Sequence, residues 1–578
     1  MKKLLVYLKS YRKECILSPL FKFLEASFEL LVPLVIAAII DNGIANKDSG
    51  YIVRMCLLLV ALGIIGLAAA ITAQYYAAKA SVGFAKNLRH ALFAHIQQLS
   101  YTEIDTLGTS TMITRMTSDV NQVQSGVNLT LRLLLRSPLV VFGAMIMAFT
   151  INVKAALIFA VAIPVLSAVV FGIMIICIPL YKKVQAALDK VLSSTRENLT
   201  GVRVIRAFGT EQREIEKFTE RNETLTHVQK FTGRISALLN PLTYVIINIA
   251  IIILINTGAI QVYEGIITQG MVIALYNYMS QILVELIKLA NLIINITKSM
   301  ACANRISAVL DIQPSLTSPD TVSDKAQSAY AVEFKNVSLR YKNNSEASLS
   351  DISFCVKKGE TVGIIGSTGS GKSSLVNMIP RFYDAENGEV TVNGINVKDY
   401  PIAKLREKIG VVPQKAVLFK GSIRDNMRWG KNNASDSEIM SALETAQAKS
   451  VVDGKEGGLD YIIEQGGKNL SGGQRQRFTI ARALVRNPEI LILDDSASAL
   501  DFATDAALRK AIREIPSSPT VFIVSQRTSS IQYADKIIVL DDGRISGMGT
   551  HSELLKTCEV YREIYNSQFK KEANGNVG

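Results

Sequence analysis

At 578 residues the chain has the length of roughly four soluble domains at ~150 residues each, yet 49% of it is hydrophobic, 20% is charged and its mean hydropathy is +0.25. These averages exclude a disordered, collagen-like or disulfide-dense secreted chain, because apolar content is ample while Gly (37), Pro (14) and Cys (6) are modest. The net charge of +13 has a plain source in basic loops beside a membrane, so no nucleic-acid partner is expected.

In chain order, six apolar runs approach the ~20 residues that span a bilayer: residues 16–40, 52–78, 129–150, 155–181, 238–260 and 271–296. The first follows Lys2, Lys3, Lys9, Arg12 and Lys13. It is too long for a signal peptide and lacks a small-residue cleavage site, so it is expected to stay in the mature protein. Short connections at 41–51, 152–154 and 263–269 alternate with long, basic, helix-patterned ones at 79–128 and 182–236. The positive-inside rule places the long loops and the N-terminus in the cytoplasm.

In the sixth run Asn277, Gln281, Glu285, Lys288, Asn291 and Asn295 recur at steps of four or three, which puts them on one helix face. The stripe either lines a polar substrate cavity or ties helices together by hydrogen bonds and a Glu285–Lys288 pair, since charged groups at membrane depth are functional candidates. Glu25 and Glu29 in the first run are weaker candidates. Cys15, Cys56, Cys177, Cys302, Cys355 and Cys558 are scattered and form no metal-like cluster with the 4 His.

After residue 300 the composition changes. A linker at 301–331, rich in Ser, Thr, Asp and Pro from 314 onward, separates a membrane domain at 1–300 from a domain at 332–578, where short β-branched runs alternate with helical patterns. The expected fold is therefore a polytopic α-helical membrane domain of six transmembrane helices fused to an α/β P-loop ATPase domain. The ATPase signal is Gly366, Ser367, Thr368, Gly369, Ser370, Gly371, Lys372 and Ser373, followed by Ser374, between a strand pattern at 361–365 and a helical one. Glycines let backbone N–H groups wrap phosphates, Lys372 reaches the terminal phosphates of ATP, and the Ser373 hydroxyl ligates Mg²⁺. A buried-strand run at 490–494 ends in Asp494, the carboxylate that positions Mg²⁺. Between these motifs lie Gln414 and the helix-opening segment Leu470, Ser471, Gly472, Gly473 and Gln474.

On these motifs nearly the whole chain resembles the exporter half-transporters of the ATP-binding cassette family. The resemblance implies that Tyr341 stacks on adenine, that Gln414 senses Mg²⁺ and the membrane domain, and that residues 498–501 form an inter-subunit loop. It further implies that coupling helices lie near 105–120 and 206–218, and that Ser471, Gly472, Gly473 and Gln474 bind the ATP of a partner chain. The chain departs from the family at Asp495, where a Glu normally orients or deprotonates water, at Gln526, where a His is expected, and at Glu464, Gln465, Gly466 and Gly467. Glutamine can hydrogen-bond to a γ-phosphate but cannot act as acid, base or cation. These departures imply a heterodimeric exporter in which the chain's own site, with Lys372, Asp495 and Gln526 as its catalytic set, turns over slowly while its signature segment completes the second half-transporter's site. Its substrate would be an amphipathic or hydrophobic compound of the multidrug type, moved across the cell membrane. The alternatives are a homodimeric lipid or peptide exporter and an ATP-gated regulatory or channel-like subunit.

Overall fold

The computed structural model describes residues 2–321, 328–342 and 346–573, so part of the linker expected at 301–331 lies outside them. Two compact units emerge: residues 1–97 with 110–312, and residues 98–109 with 313–578.

Six helices of the first unit, among the described residues, are long and apolar enough to cross a membrane: Lys3–Ile44, Ser49–Gln98, Thr109–Ile151, Val153–Thr200, Glu211–Tyr263 and Gln269–Leu310. Each contains one of the six runs. In lipid every backbone group must be satisfied within the segment, so an apolar run of this length folds as a helix. The second helix has 50 residues, about 75 Å at 1.5 Å per residue, more than twice the ~30 Å hydrocarbon thickness. At the short-connection end Asn152 caps the fourth helix by accepting from the Ala155 N–H at 3.0 Å. Asp41 accepts from the Gly270 N–H at 2.8 Å and so pins the start of the sixth helix to the end of the first. The core of this unit is built largely from Ala144, Ala148, Ala155, Ala156 and Ala274 around Phe159, Leu254 and Tyr278, small residues that allow close helix approach in a membrane.

The sixth helix continues through Leu310, ten residues beyond the composition break at 300. Arg305 there donates to Asp119 of the third helix at 2.6 Å, so a polar stretch stays helical through a long-range tie. The first loop forms a short helix at Tyr101–Leu107, capped by Ser100 and Glu103 and ended by Gly108 with φ of +74°. Residues 110–120, expected within a coupling helix, belong to the third long helix instead. The short helix of the second long loop is Val202–Ala207, and most of the stretch at 206–218 opens the fifth long helix.

The second unit contains twelve strands among the described residues: β1 (Tyr330–Leu339), β2 (Leu349–Lys357), β3 (Thr361–Gly366), β4 (Asn387–Val392), β5 (Ile395–Asn396), β6 (Ile409–Val412), β7 (Gly421–Ser422), β8 (Ile462–Ile463), β9 (Ile490–Asp494), β10 (Thr520–Val524), β11 (Lys536–Asp541) and β12 (Arg544–Gly549). The main sheet has the order β12-β11-β3-β10-β9-β6. Within it β11, β3, β10, β9 and β6 run parallel, and β12 is antiparallel. An antiparallel sheet, β2-β1-β4-β5, forms a second layer. The parallel strands are almost wholly buried, which is why they read as continuous apolar runs. In register, Val524 pairs with both Asp494 and Ile364. The carboxyl ends of β3, β9 and β10 therefore stand side by side, at the edge where such sheets bind ligands.

Candidate functional site

The loop after β3 wraps back on itself before the helix Lys372–Met378. Gly366 has no room for a side chain, since a Cβ would meet the Leu540 carbonyl oxygen at 2.1 Å. Gly371, at φ +91°, starts the helix in a conformation that favours glycine. Lys372, 8% exposed, donates to the carbonyl oxygens of Gly366 at 3.0 Å and Ser367 at 2.5 Å, and to Ser370 Oγ at 3.4 Å. Its ammonium thus curls into the loop that would hold phosphates. Burial pushes the Lys372 pKa down, against the pull of Asp495 and Asp494.

Ser373 Oγ donates to Asp494 Oδ1 at 3.0 Å. Burial pushes the Asp494 pKa up, and the neighbouring charge of Asp495 adds to this. Gln414 Nε2 donates to Asp495 Oδ2 at 3.4 Å, and Asp495 itself sits at φ +46°, a left-handed conformation uncommon outside glycine and often found at functional sites. Two carboxylates against one lysine, with a serine hydroxyl and an amide oxygen close by, suit a hard divalent cation such as Mg²⁺. Ser373, Asp494 and Gln414 are the residues that would hold it. Among the described residues no group of three or more His, Cys, Asp or Glu could bind a metal without help, so oxygen atoms of a nucleotide would complete the set. Bound there, the cation would neutralise charge on the phosphates.

These side chains line one cavity of about 230 Å³, which also takes in Thr368, Gly369, Gly371, Ser374, Val524, Ser525 and Gln526. Asp495 and Gln526, far apart in sequence, thus meet at the phosphate loop. Ser348 also lines the cavity, with no sequence signal to announce it. The turn carrying Gln526 is held by Gln568 from the last helix: its amide donates to the Gln526 carbonyl at 2.7 Å and accepts from the Thr528 N–H and hydroxyl, each at 2.9 Å. Nothing local to Gln568 marks it from sequence.

Tyr341 is half-buried beside the cavity. Its hydroxyl donates to Ser374 Oγ at 2.9 Å. Ser471, Gly472, Gly473 and Gln474 lie elsewhere and do not line the cavity. Ser471 caps the helix Gly472–Leu484, its hydroxyl accepting from the Gln474 N–H at 3.2 Å while Gln474 Oε1 accepts from the Ser471 N–H at 3.0 Å. Asp501 likewise caps the helix Phe502–Arg513.

In the membrane unit Glu285 is 2% exposed and paired. Arg136 of the third long helix donates to it at 2.6 Å, Ser137 at 2.8 Å and Lys288 at 2.8 Å. Arg136 also reaches Glu29 at 2.6 Å and lies 3.8 Å from Glu25, which Lys22 holds at 2.5 Å. Here the stripe ties three helices together. Lys288 and Asn291 are exposed, while Asn277, Gln281 and Asn295 are half-buried. Asn295 donates back to the Asn291 carbonyl at 2.9 Å, and Gln281 Oε1 is buried without a hydrogen-bond partner. Arg136 was absent from the candidates read in sequence; its signal was an arginine in the middle of an apolar run.

A bundle of six membrane-length helices with a phosphate-loop ATPase on the same chain defines a membrane ATPase of exporter architecture. Residues 15–286 match the ABC transporter transmembrane region and residues 349–498 match the ABC transporter model. YfiB of Bacillus subtilis, an ABC transporter ATP-binding protein, is 36% identical over 99% of this chain and 100% of its own length. YgaD of the same organism, whose name describes a multidrug export ATP-binding/permease protein, is 30% identical over 98% of this chain and 99% of its own. The structure of a bacterial Atm1-family ABC exporter with ATP bound has the same fold, with a TM-score of 0.80 at 22% identity, over 96% of this chain and 99% of that one. The chain belongs to the ATP-binding cassette transporter family. It is a multi-pass membrane protein with a cytoplasmic ATPase domain, and it couples ATP hydrolysis to transport.

Proposed function

We propose that this exporter works as one half of a heterodimer and moves amphipathic or hydrophobic compounds of the multidrug type, binding ATP and Mg²⁺ at Lys372, Ser373, Gln414 and Asp494 with Tyr341 against the adenine. The observation that carries the reading is the meeting of Asp495 and Gln526 at one phosphate cavity while Ser471, Gly472, Gly473 and Gln474 lie outside it. Asp495 is shorter than the family's glutamate by one methylene, about 1.5 Å of reach, and general bases act within ~2.6–3.2 Å of the proton they take. Gln526 cannot act as acid, base or cation. The chain's own site would hold ATP and turn over slowly, and its signature segment would complete a competent site on the other chain. Exposed apolar side chains on the second loop, Val204 at 60% and Phe208 at 78%, agree with a chain that functions beside another cassette chain. The multidrug class rests on the name of YgaD.

Changing Asp495→Glu together with Gln526→His should raise the ATPase rate of the purified assembly by about tenfold or more, toward the 10²- to 10⁴-fold that a positioned base supplies; an unchanged rate would sink the slow-site reading. The native mass of the complex isolated through a tag on this chain tests the pairing. A second cassette chain bearing Glu and His at these positions supports it, and copies of this chain alone favour a homodimeric exporter.

A further inference from the structure

The helix Tyr101–Leu107 comes from the loop between the second and third long helices, yet it belongs to the same compact unit as the ATPase fold. Its docking is specific. Glu103, 6% exposed, caps the helix through the Ser100 N–H at 3.1 Å, and Ser100 Oγ accepts from the Leu316 N–H at 3.1 Å. The Tyr101 ring packs on Phe382 with centroids 4.6 Å apart, and the Arg406 guanidinium lies over the Phe382 ring, 5.1 Å from its centroid. One bond from this helix leads toward the nucleotide cavity: the Tyr383 hydroxyl donates to Asp105 Oδ2 at 2.7 Å. Burial, with Asp105 adding to it, pushes the Tyr383 pKa far up, so the phenol remains the donor. The Tyr383 ring meets Tyr341 edge to face, with centroids 5.0 Å apart and planes at 89°. The far end of Tyr341 is fixed by its bond to Ser374, the residue after the Mg²⁺-binding Ser373.

We infer that Asp105 and Tyr383 are positioning residues for adenine recognition: Asp105 fixes the Tyr383 ring, and that ring with Ser374 holds Tyr341 in the plane against which the base stacks. The inference rests on the assignment of Tyr341 to the base. A ring already held in its working orientation loses less rotamer freedom when the base arrives, and an edge-to-face neighbour fixes that orientation. The effect falls on the base alone, because the phosphates are gripped by the separate loop around Lys372. A helix of the membrane-helix connection thereby becomes part of the support of the ATP site, from 278 residues away.

The test uses the full-length purified assembly and the displacement of a photoreactive azido-ATP from this chain, resolved on a gel, by ATP and by inorganic tripolyphosphate, which carries no base. Tyr383→Phe and Asp105→Asn should each raise the half-displacing ATP concentration about 3- to 10-fold, the scale of one charge-assisted hydrogen bond partly exposed to water, and leave that for tripolyphosphate unchanged. Because both remove the same link, the double variant should be no worse than either single one. Equal shifts for ATP and tripolyphosphate, no shift in either, or additive shifts would overturn the positioning role. Tyr341→Ala separates the two layers. If ATP keeps its full advantage over tripolyphosphate in that variant, the adenine assignment falls and the relay with it; if the advantage is reduced there but persists in Tyr383→Phe and Asp105→Asn, the relay alone falls.

Discussion

In the membrane unit, Arg136 faces the carboxylates of Glu285 and Glu29, both at 2.6 Å, and Lys22 and Lys288 complete a set of three cations and three anions. In the ATPase unit, Lys372 is as deeply buried, at 8% against 9% exposed for Arg136, but among the described residues it forms no ion pair and spends its protons on backbone carbonyls and a hydroxyl. Asp494, 7% exposed, has Ser373 in place of a cation. Burying a charge is tolerable only when it is paired. The membrane cluster finds its pairs within the chain and therefore holds helices together. The cavity charges form no such close pairs among the described residues, which agrees with the proposal that phosphate and Mg²⁺ bind there.

Removing the cation in each place should have opposite consequences. Arg136→Met leaves Glu285 buried without its main partner, which costs about 3–5 kcal/mol; the unfolding midpoint in detergent should drop sharply or the protein should fail to accumulate. Replacing Arg136, Glu285 and Glu29 together by apolar residues of similar volume should recover most of that loss, and a triple variant as unstable as the single one would show that the cluster does more than neutralise itself. Lys372→Met orphans no carboxylate ion pair, so the nucleotide-free midpoint should stay nearly unchanged. Its stabilisation by saturating ATP, about 2.7 kcal/mol at a hundredfold excess over Kd for an intact site, should vanish. A large fall in the nucleotide-free midpoint would mean that the two buried cations play the same structural role after all. The smallest effect is expected at Ser471→Ala, which removes a helix cap worth about 1 kcal/mol and should lower the ATPase rate of the whole assembly, with ATP binding at this chain's own phosphate loop intact. If own-site binding weakens as well, the signature segment is not presented outward.

Much of the site was legible because it is encoded locally. The phosphate loop is a contiguous run whose glycines and helix start are fixed by neighbours in sequence, and the apolar runs of membrane length can satisfy their backbones in lipid only as helices. Ser471 and Gln474 announce a capping box at the spacing that box requires. Residues whose roles come from distant partners carried no such mark. Arg136 reads as an interruption of an apolar run until Glu285 and Glu29 stand opposite it. Gln568 is an ordinary surface-type residue until the last helix lays it on the turn of Gln526. The short loop helix falls at Tyr101–Leu107, earlier than the family resemblance implied, because Ser100 and Glu103 cap it and Gly108 ends it.

The sequence by itself determined six membrane-length helices, an ATPase with a phosphate loop, and two departures at Asp495 and Gln526, since each follows from composition or from motifs a few residues long. Only the tertiary structure decided that those departures meet at one cavity, because that depends on the parallel register of β9 and β10 beside β3. It alone placed Glu285 in a neutral cluster and set Asp105 against Tyr383. Such pairings link residues a hundred or more positions apart, and they are chosen by packing of whole elements, a cooperative choice that no local pattern of side chains encodes.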